Sequence, residues 1–362
     1  MYYDLLDICD FQGGTQPPKD KWIKEPKDGY VRMLQIRDYS QSDDKFIEYV
    51  KDSEQLHKCK KDDVMLSRYG YIGQAFMGLE GAYNVALVKV IKKNSVNTKY
   101  LYYYFKSNVF KHYLLSNVGA RATIPGFNKS ELKDAKIDIK PLDEQIQIVK
   151  ILERCEDIIN KLNKEIEDFD LLIKARFVEM FGDPKNNPLN FPIFMLKDTC
   201  KVITGNTPSR KIKDYYGDYI EWIKTDNIIP EKKYPTQANE YLSEKGIRFG
   251  RTVDKDSVLM ACIAGSVSSI GKVCITDRKL AFNQQINAVV PKKYNVLFLY
   301  TIFQMPKDYL VEDINMSLKG ILSKSKLEEK KFILPPIELQ QQFADFVKQV
   351  DKSKFIQMNS TI

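Results

Sequence analysis

The clearest pattern of apolar and polar positions lies in the middle of the chain. From Asp143 the apolar residues fall at Ile148, Ile151, Cys155, Ile158 and Leu162, then, after a one-step shift, at Ile166, Phe169 and Ile173. Spacings of three and four place these side chains on one face of an α-helix. Pro141 and Asp143 open the helix, the aspartate as N-cap, and Gly182 and Pro184 of Phe-Gly-Asp-Pro close it. The 39 residues from Asp143 to Phe181 would span roughly 58 Å, longer than an ordinary globular core needs, and predict a strut or coiled-coil arm. A second amphipathic stretch starts at about Ile337, carries Phe343, Phe346 and Val350, and has at most 26 residues. The two apolar stripes should bury against each other at one end, leaving the rest of the first helix for a partner protein. Around these helices run short strand-like segments, Tyr30–Ile36, Asp63–Ser67 and Ile286–Val290, broken by glycine and polar turns. Strands and long helices do not alternate, so the reading is α+β and not a doubly wound sheet.

Self-comparison shows a duplication. Asp7-Ile-Cys9 followed by Gly14-Thr15-Gln-Pro17 recurs as Asp198-Thr-Cys200 followed by Gly205-Asn-Thr207-Pro208. Gln35-Ile-Arg37-Asp38 recurs as Lys224-Thr-Asp226-Asn227, Val64–Ser67 with Ile72-Gly73 as Val258–Ala261 with Ile270-Gly271, and Lys129-Ser130-Glu-Leu132 with Gln145 as Lys324-Ser325-Lys-Leu327 with Gln340. The offset stays between 189 and 202. The organisation expected is a globular domain over 1–140, a central helix over 141–182, a second copy of the domain over 183–336 and a C-terminal, shorter helix over 337–362. Two copies of one domain form a pseudo-twofold object, which suits a bipartite duplex target, and the long helix would act as a ruler between the halves.

Charge sharpens this picture. The net charge is +8, yet the segment Asp143–Phe181 holds ten acidic and six basic residues, so it stands at −4 and the remainder at +12. Basic charge concentrated outside the helix, with 12% aromatic residues, fits a polyanionic partner, most simply nucleic acid. No apolar run approaches the roughly 18 residues of a membrane span, and the N-terminus carries Asp4 and Asp7 where a secretory signal would be basic. The expected location is the cytoplasm, with no membrane partner.

Catalytic signals are thin. The six cysteines are scattered without a Cys-x-x-Cys pair and read as reduced core residues. Only His57 and His112 occur, and nothing near His57-Lys-Cys59 completes a metal site. Gly265-Ser-Val-Ser-Ser-Ile-Gly271-Lys272-Val273 has five residues between its glycines where a phosphate loop has four, and valine where Ser or Thr would hold magnesium. Asp313 with Glu328-Glu-Lys330 could be assembled into a metal-dependent nuclease centre, which keeps a stand-alone nuclease as the alternative of another class.

The Gly-x-Thr-Pro element after Asp-x-Cys, the domain-ending Lys-Ser-x-Leu, the helix-opening Pro-Leu-Asp-Glu-Gln-Ile-Gln-Ile and Pro-Ile-Glu-Leu-Gln-Gln-Gln-Phe, and the exit Arg-Phe-Val-Glu-Met-Phe-Gly-Asp-Pro resemble the specificity subunit of type I restriction-modification systems, over essentially the whole chain. The resemblance implies two homologous target-recognition domains, each followed by a helix, the helices packing as an antiparallel coiled coil. It implies a non-catalytic subunit that reads a split sequence in double-stranded DNA and docks two methyltransferase subunits. Restriction and translocase subunits are further possible partners, and S-adenosylmethionine, ATP and magnesium would belong to the partners, with no cofactor or metal in this chain. The shorter second helix departs from the pattern and raises an inactive, decoy specificity subunit as another reading.

Reading DNA needs cations for phosphates and paired donors and acceptors for base edges. In the first domain Thr15, Arg37, Ser67, Arg68, Tyr69 and Arg121 are the candidates, Arg68 following a strand beside Gly70. In the second they are Thr207, Lys224, Asn227, Gln284, Lys319 and Lys324, with the amide run Asn283–Gln285 suited to adenine. Trp22 and Trp222 read as core residues, with the alternative that Trp22, among Lys19, Lys21 and Lys24, is partly exposed and packs on a sugar.

Overall fold

The computed structural model describes residues 1–41, 46–93, 95–118, 126–230, 232–264, 269–305, 309–310 and 320–359. The chain divides into two compact units, 1–160 and 161–362.

In the first unit the elements are β1 (Tyr2–Asp4), α1 (Leu5–Ile8), β2 (Cys9–Gly13), β3 (Tyr30–Leu34), α2 (Ile36–Ser40), β4 (Tyr49–Lys51), β5 (Lys58–Cys59), β6 (Met65–Ser67), β7 (Ala75–Phe76), β8 (Gly81–Tyr83), β9 (Leu87–Lys92), α3 (Thr98–Lys106), α4 (Asn108–Asn117) and β10 (Lys136–Asp138). They build an antiparallel sheet ordered β2-β9-β6-β7, a sheet ordered β4-β3-β8-β5 and a separate pair β1-β10. The pair β3-β8 is parallel, Met33 facing Ala82 and Leu34 facing Tyr83. Leu5, Cys9, Leu66, Leu101, Phe105, Phe110 and Ile137 form the core between the first sheet and α3 and α4.

Helix α5 runs from Leu142 to Phe181. Asp143, expected as its cap, lies with Glu144 inside the first turn, where a carboxylate meets the positive end of the helix dipole.

The second unit repeats the plan with β11 (Ile193–Met195), α6 (Leu196–Thr199), β12 (Cys200–Thr204), β13 (Tyr216–Gly217), β14 (Ile220–Ile223), β15 (Tyr241–Leu242), β16 (Thr252–Val253), β17 (Val258–Ala261), β18 (Ile263–Ala264), β19 (Val273–Ile275), β20 (Leu280–Phe282), β21 (Ile286–Pro291), α7 (Val296–Gln304), β22 (Gly320–Ile321), α8 (Lys324–Glu329), β23 (Lys331–Ile333) and α9 (Ile337–Asn359). Its sheets are β12-β21-β17-β19, β13-β15-β14-β20-β16 and the pairs β11-β23 and β18-β22. The parallel pair recurs as β14-β20, with Trp222 facing Ala281 and Ile223 facing Phe282. The duplication read from the sequence is therefore a duplication of topology, and the fold is α+β.

Within the second unit α9 packs antiparallel to the end of α5. Phe177 and Phe181 meet Phe343, Arg176 lies over Phe346 at 5.7 Å, Lys354 pairs with Asp170, and Gln357 donates to Glu165 at 2.7 Å. In the first unit the stripe on α5 is open, Ile151 being 61% and Ile158 47% exposed. Five cysteines are buried, and burial raises the thiol of Cys9 to about 12 and that of Cys200 to about 11, so both are neutral thiols at physiological pH. Cys155 differs from the expectation: it is exposed on α5.

Candidate nucleic-acid interface

Each unit carries the same local construction beside its parallel strand pair. It begins with a glycine after β2 or β12. A Cβ at Gly14 would collide with the carbonyl oxygens of Tyr83 and Asn84, and one at Gly205 with those of Phe282 and Asn283. Only glycine lets the Thr-Pro loop lie this close to the turn after β8 or β20. The turn is tied by its asparagine: Asn84 Oδ1 accepts from Ala86 N at 3.1 Å, and Asn283 Oδ1 from Gln285 N at 3.0 Å. An indole then braces the loop, Trp22 Nε1 donating to Pro17 O and Trp222 Nε1 to Asn206 O, each at 3.2 Å.

A carboxylate sits beside each indole and gathers cations. Glu48 accepts from Arg37 at 2.5 Å and from Gln35 at 2.9 Å, with Lys19 at 3.6 Å and over Trp22. Glu240 binds Lys224 and lies 2.6 Å from Arg210, whose guanidinium stacks 4.6 Å from Tyr216 and 5.0 Å from Trp222. The two carboxylates are equivalent in the fold, since Glu48 O accepts from Met33 N and Glu240 O from Trp222 N. Arg210 first, then Lys224, holds Glu240 below the ordinary carboxylate range. A depressed carboxyl contributes stability above its unfolded value and loses it as pH falls through the folded one. The cluster should therefore stay closed from pH 7 to pH 5 and open only below about pH 4.3. In a Trp22→Phe background the Trp222 fluorescence should be flat over the upper range, and a transition near pH 6 would contradict this.

The candidates drawn from the sequence separate into three groups. Arg37, Lys224, Thr207 and Gln284 lie in this construction, Thr207 donating its hydroxyl to Gln284 with both side chains exposed. Thr15 belongs to the same loop, but its hydroxyl accepts from His57 N at 3.4 Å and so serves the loop itself. Arg68 borders the construction, its N donating to Ala86 O at 2.8 Å, and Tyr69 beside it forms a β-bridge to Gly126; Arg68 Nε donates to Phe127 O at 3.1 Å and the guanidinium also binds Asn128. Lys324 is exposed on α8 and pairs with Glu328 at 3.5 Å.

Two candidates are corrected. Ser67 is fully buried, its hydroxyl donating to Tyr71 O and accepting from Gln74 N. Asn227 is 8% exposed, its Oδ1 accepting from Lys224 N at 3.0 Å and its Nδ2 donating to Thr236 and Gln237. Both side chains hold turns and face no groove. Arg121, Lys319 and Asp313 lie outside the described residues. Arg210 and the two carboxylates were not anticipated, although Arg210, like Lys19, stands five positions after the loop glycine.

Comparison with known proteins decides the family. The profile of the type I restriction modification DNA specificity domain matches residues 1–168 and again 188–362. The chain belongs to this family. DNA sequence recognition in type I restriction-modification is the role that membership carries. Among similar proteins, the type I restriction enzyme MjaVIII specificity subunit of Methanocaldococcus jannaschii is 22% identical over 77% of this chain and 69% of its own length. The MjaIX specificity subunit of the same organism is 23% identical over 73% of this chain and 65% of its own length. The fold is shared with the crystal structure of a type I restriction-modification S subunit from M. genitalium (TM-score 0.55, 13% identity, covering 99% of this chain and 91% of that one). It is shared also with a chain from a structure of type I complex assembly and conformational transition (TM-score 0.53, 16% identity, 99% and 93% covered). Among the described residues no helix is long and apolar enough to cross a membrane, and no group of three or more His, Cys, Asp or Glu is placed to hold a metal.

Proposed function

We propose that this chain is the non-catalytic reader of a bipartite duplex target, each unit recognising one half, and that it docks methyltransferase subunits which supply the chemistry. On this reading S-adenosylmethionine belongs to those partners, and ATP and magnesium to any restriction subunit. The observation that carries the reading is the recurrence, in both units, of a cation cluster on an indole beside a glycine-pinned loop. Cations and a loop backbone able to approach phosphate are what positioning on DNA requires, and aromatic packing stiffens them. The open stripe at Ile151 and Ile158 supports partner docking on α5.

The test is binding of duplex carrying the target by the chain together with its methyltransferase. Arg210→Ala should weaken binding by about 1–3 kcal/mol if the guanidinium reads a base, with the loss confined to targets bearing one half-site. An equal loss on all sequences, with the salt slope reduced by about one, would make Arg210 a phosphate contact. Removing two turns from α5 between Ile151 and Leu162 should change the permitted gap between half-sites, and an unchanged gap would end the ruler idea.

A further inference from the structure

The internal repeat allows the two units to be compared station by station, and at one place the backbone agrees while every side chain differs. The first residue of the station follows the parallel strand. Gln35 N donates to Asp38 Oδ2 at 2.9 Å in one unit and Lys224 N to Asn227 Oδ1 at 3.0 Å in the other, which makes Arg37 the equivalent of Asp226. The second follows the strand beside it. Gly73 N donates to Ser67 O and Gly271 N to Ala261 O, while Ser67 N donates to Gln74 O and Ala261 N to Lys272 O, which pairs Gln74 with Lys272. The third is set by the asparagine turns, which pair Ala86 with Gln285. So Arg37, Gln74 and Ala86 in the first unit stand where Asp226, Lys272 and Gln285 stand in the second.

In the second unit these three residues line one hollow of about 410 Å³, floored by Ala261, Ile228 and Ile263. Asp226 is exposed. Neither its carboxylate nor the Lys272 ammonium makes a side-chain hydrogen bond or ion pair among the described residues. Gln285 Oε1 accepts from Asn283 Nδ2 at 3.1 Å, so its amino group remains to donate. A carboxylate on a surface that meets phosphates is repelled by them, and it is tolerated there where it accepts from a base amine. The donors beside it suit the O6 and N7 acceptors of guanine, and the carboxylate suits the N4 amine of cytosine.

We infer that this hollow is the base-reading subsite of the second unit, with Asp226 selecting cytosine in a G·C pair through its major-groove edge. This rests on the DNA-recognition reading above. The first unit, with Arg37 at the same station bound to Glu48, must read a different base there.

The experiment maps methylated motifs in a methylation-free host expressing the full chain with its methyltransferase. Wild type should give a split motif with a cytosine at the subsite position of one half. Asp226→Ala should relax that position, lowering discrimination roughly 10-fold or more, with the other half unchanged. Asp226→Asn should move the preference from cytosine to adenine, because a carboxamide pairs with N6 and N7. Asp226 is exposed, and unchanged thermal unfolding of both variants would exclude a folding effect. An unchanged motif in both variants, or an equal loss in both halves, would overturn the subsite while leaving DNA recognition intact. Absence of any split motif with wild type would instead fail the underlying reading.

Discussion

Phe181→Ala should destabilise the second unit by about 3–5 kcal/mol, the range for truncating a buried phenylalanine in a core that relaxes only partly. Phe181 is fully buried, with ring centroids 4.9 Å from Phe298, 5.0 Å from Phe177 and 5.7 Å from Phe343. It therefore ties the end of α5 to α7 and α9 at once. Val178, one turn earlier, is 44% exposed, and Val178→Ala should cost well under 1 kcal/mol. Urea denaturation of the full chain, followed by a probe in the second unit, separates the two. Similar midpoints for both variants would mean that this aromatic junction does not hold the helix end.

The other large effect is expected at a pair of glutamines. Gln145 and Gln340, 2% and 0% exposed, stand in the first turns of α5 and α9. Each accepts from the backbone N–H capping a neighbouring helix, Asn97 or Asn295, at 2.9 Å. Each donates to the chain just before its own helix, at Lys140 O or Pro335 O, at 2.8 Å. Gln340→Leu leaves a buried donor and a buried acceptor unmatched, at about 1–3 kcal/mol apiece. The total should be about 2–6 kcal/mol, and Gln145→Leu should do the same in the first unit. Gln340→Glu, which keeps the acceptor, should cost less than leucine near the pH at which it is protonated. Equal stabilities of wild type and Gln340→Leu would show that these amides are dispensable.

Much of this architecture was legible in the residues. The long helix follows from three-and-four spacing, and the duplication follows from Asp-x-Cys, Gly-x-x-Pro and the recurring glutamine. What Gln145 and Gln340 do was not legible, because their partners at Asn97 and Asn295 lie 48 and 45 positions away. Cys155 kept the apolar period yet is exposed, because periodicity marks a face and not what covers it. The site was read less completely. Ser67 and Asn227 have the chemistry of base contacts, but turns closed by Gln74 and Lys224 consume it, and no local pattern distinguishes a spent hydroxyl or amide from an open one. Glu48 and Glu240 escaped notice for the opposite reason: a search for basic residues passes over the carboxylate that organises them.

The measurement that bears most directly on the central claim is a methylation map of DNA from a methylation-free host expressing the neighbouring methyltransferase, with and without this chain. A split motif of constant gap that appears only when the chain is present is the predicted result, and it would define both half-sites together. Methylation of the same sites without the chain, or a continuous motif with it, would contradict the assignment of one half-target to each repeat.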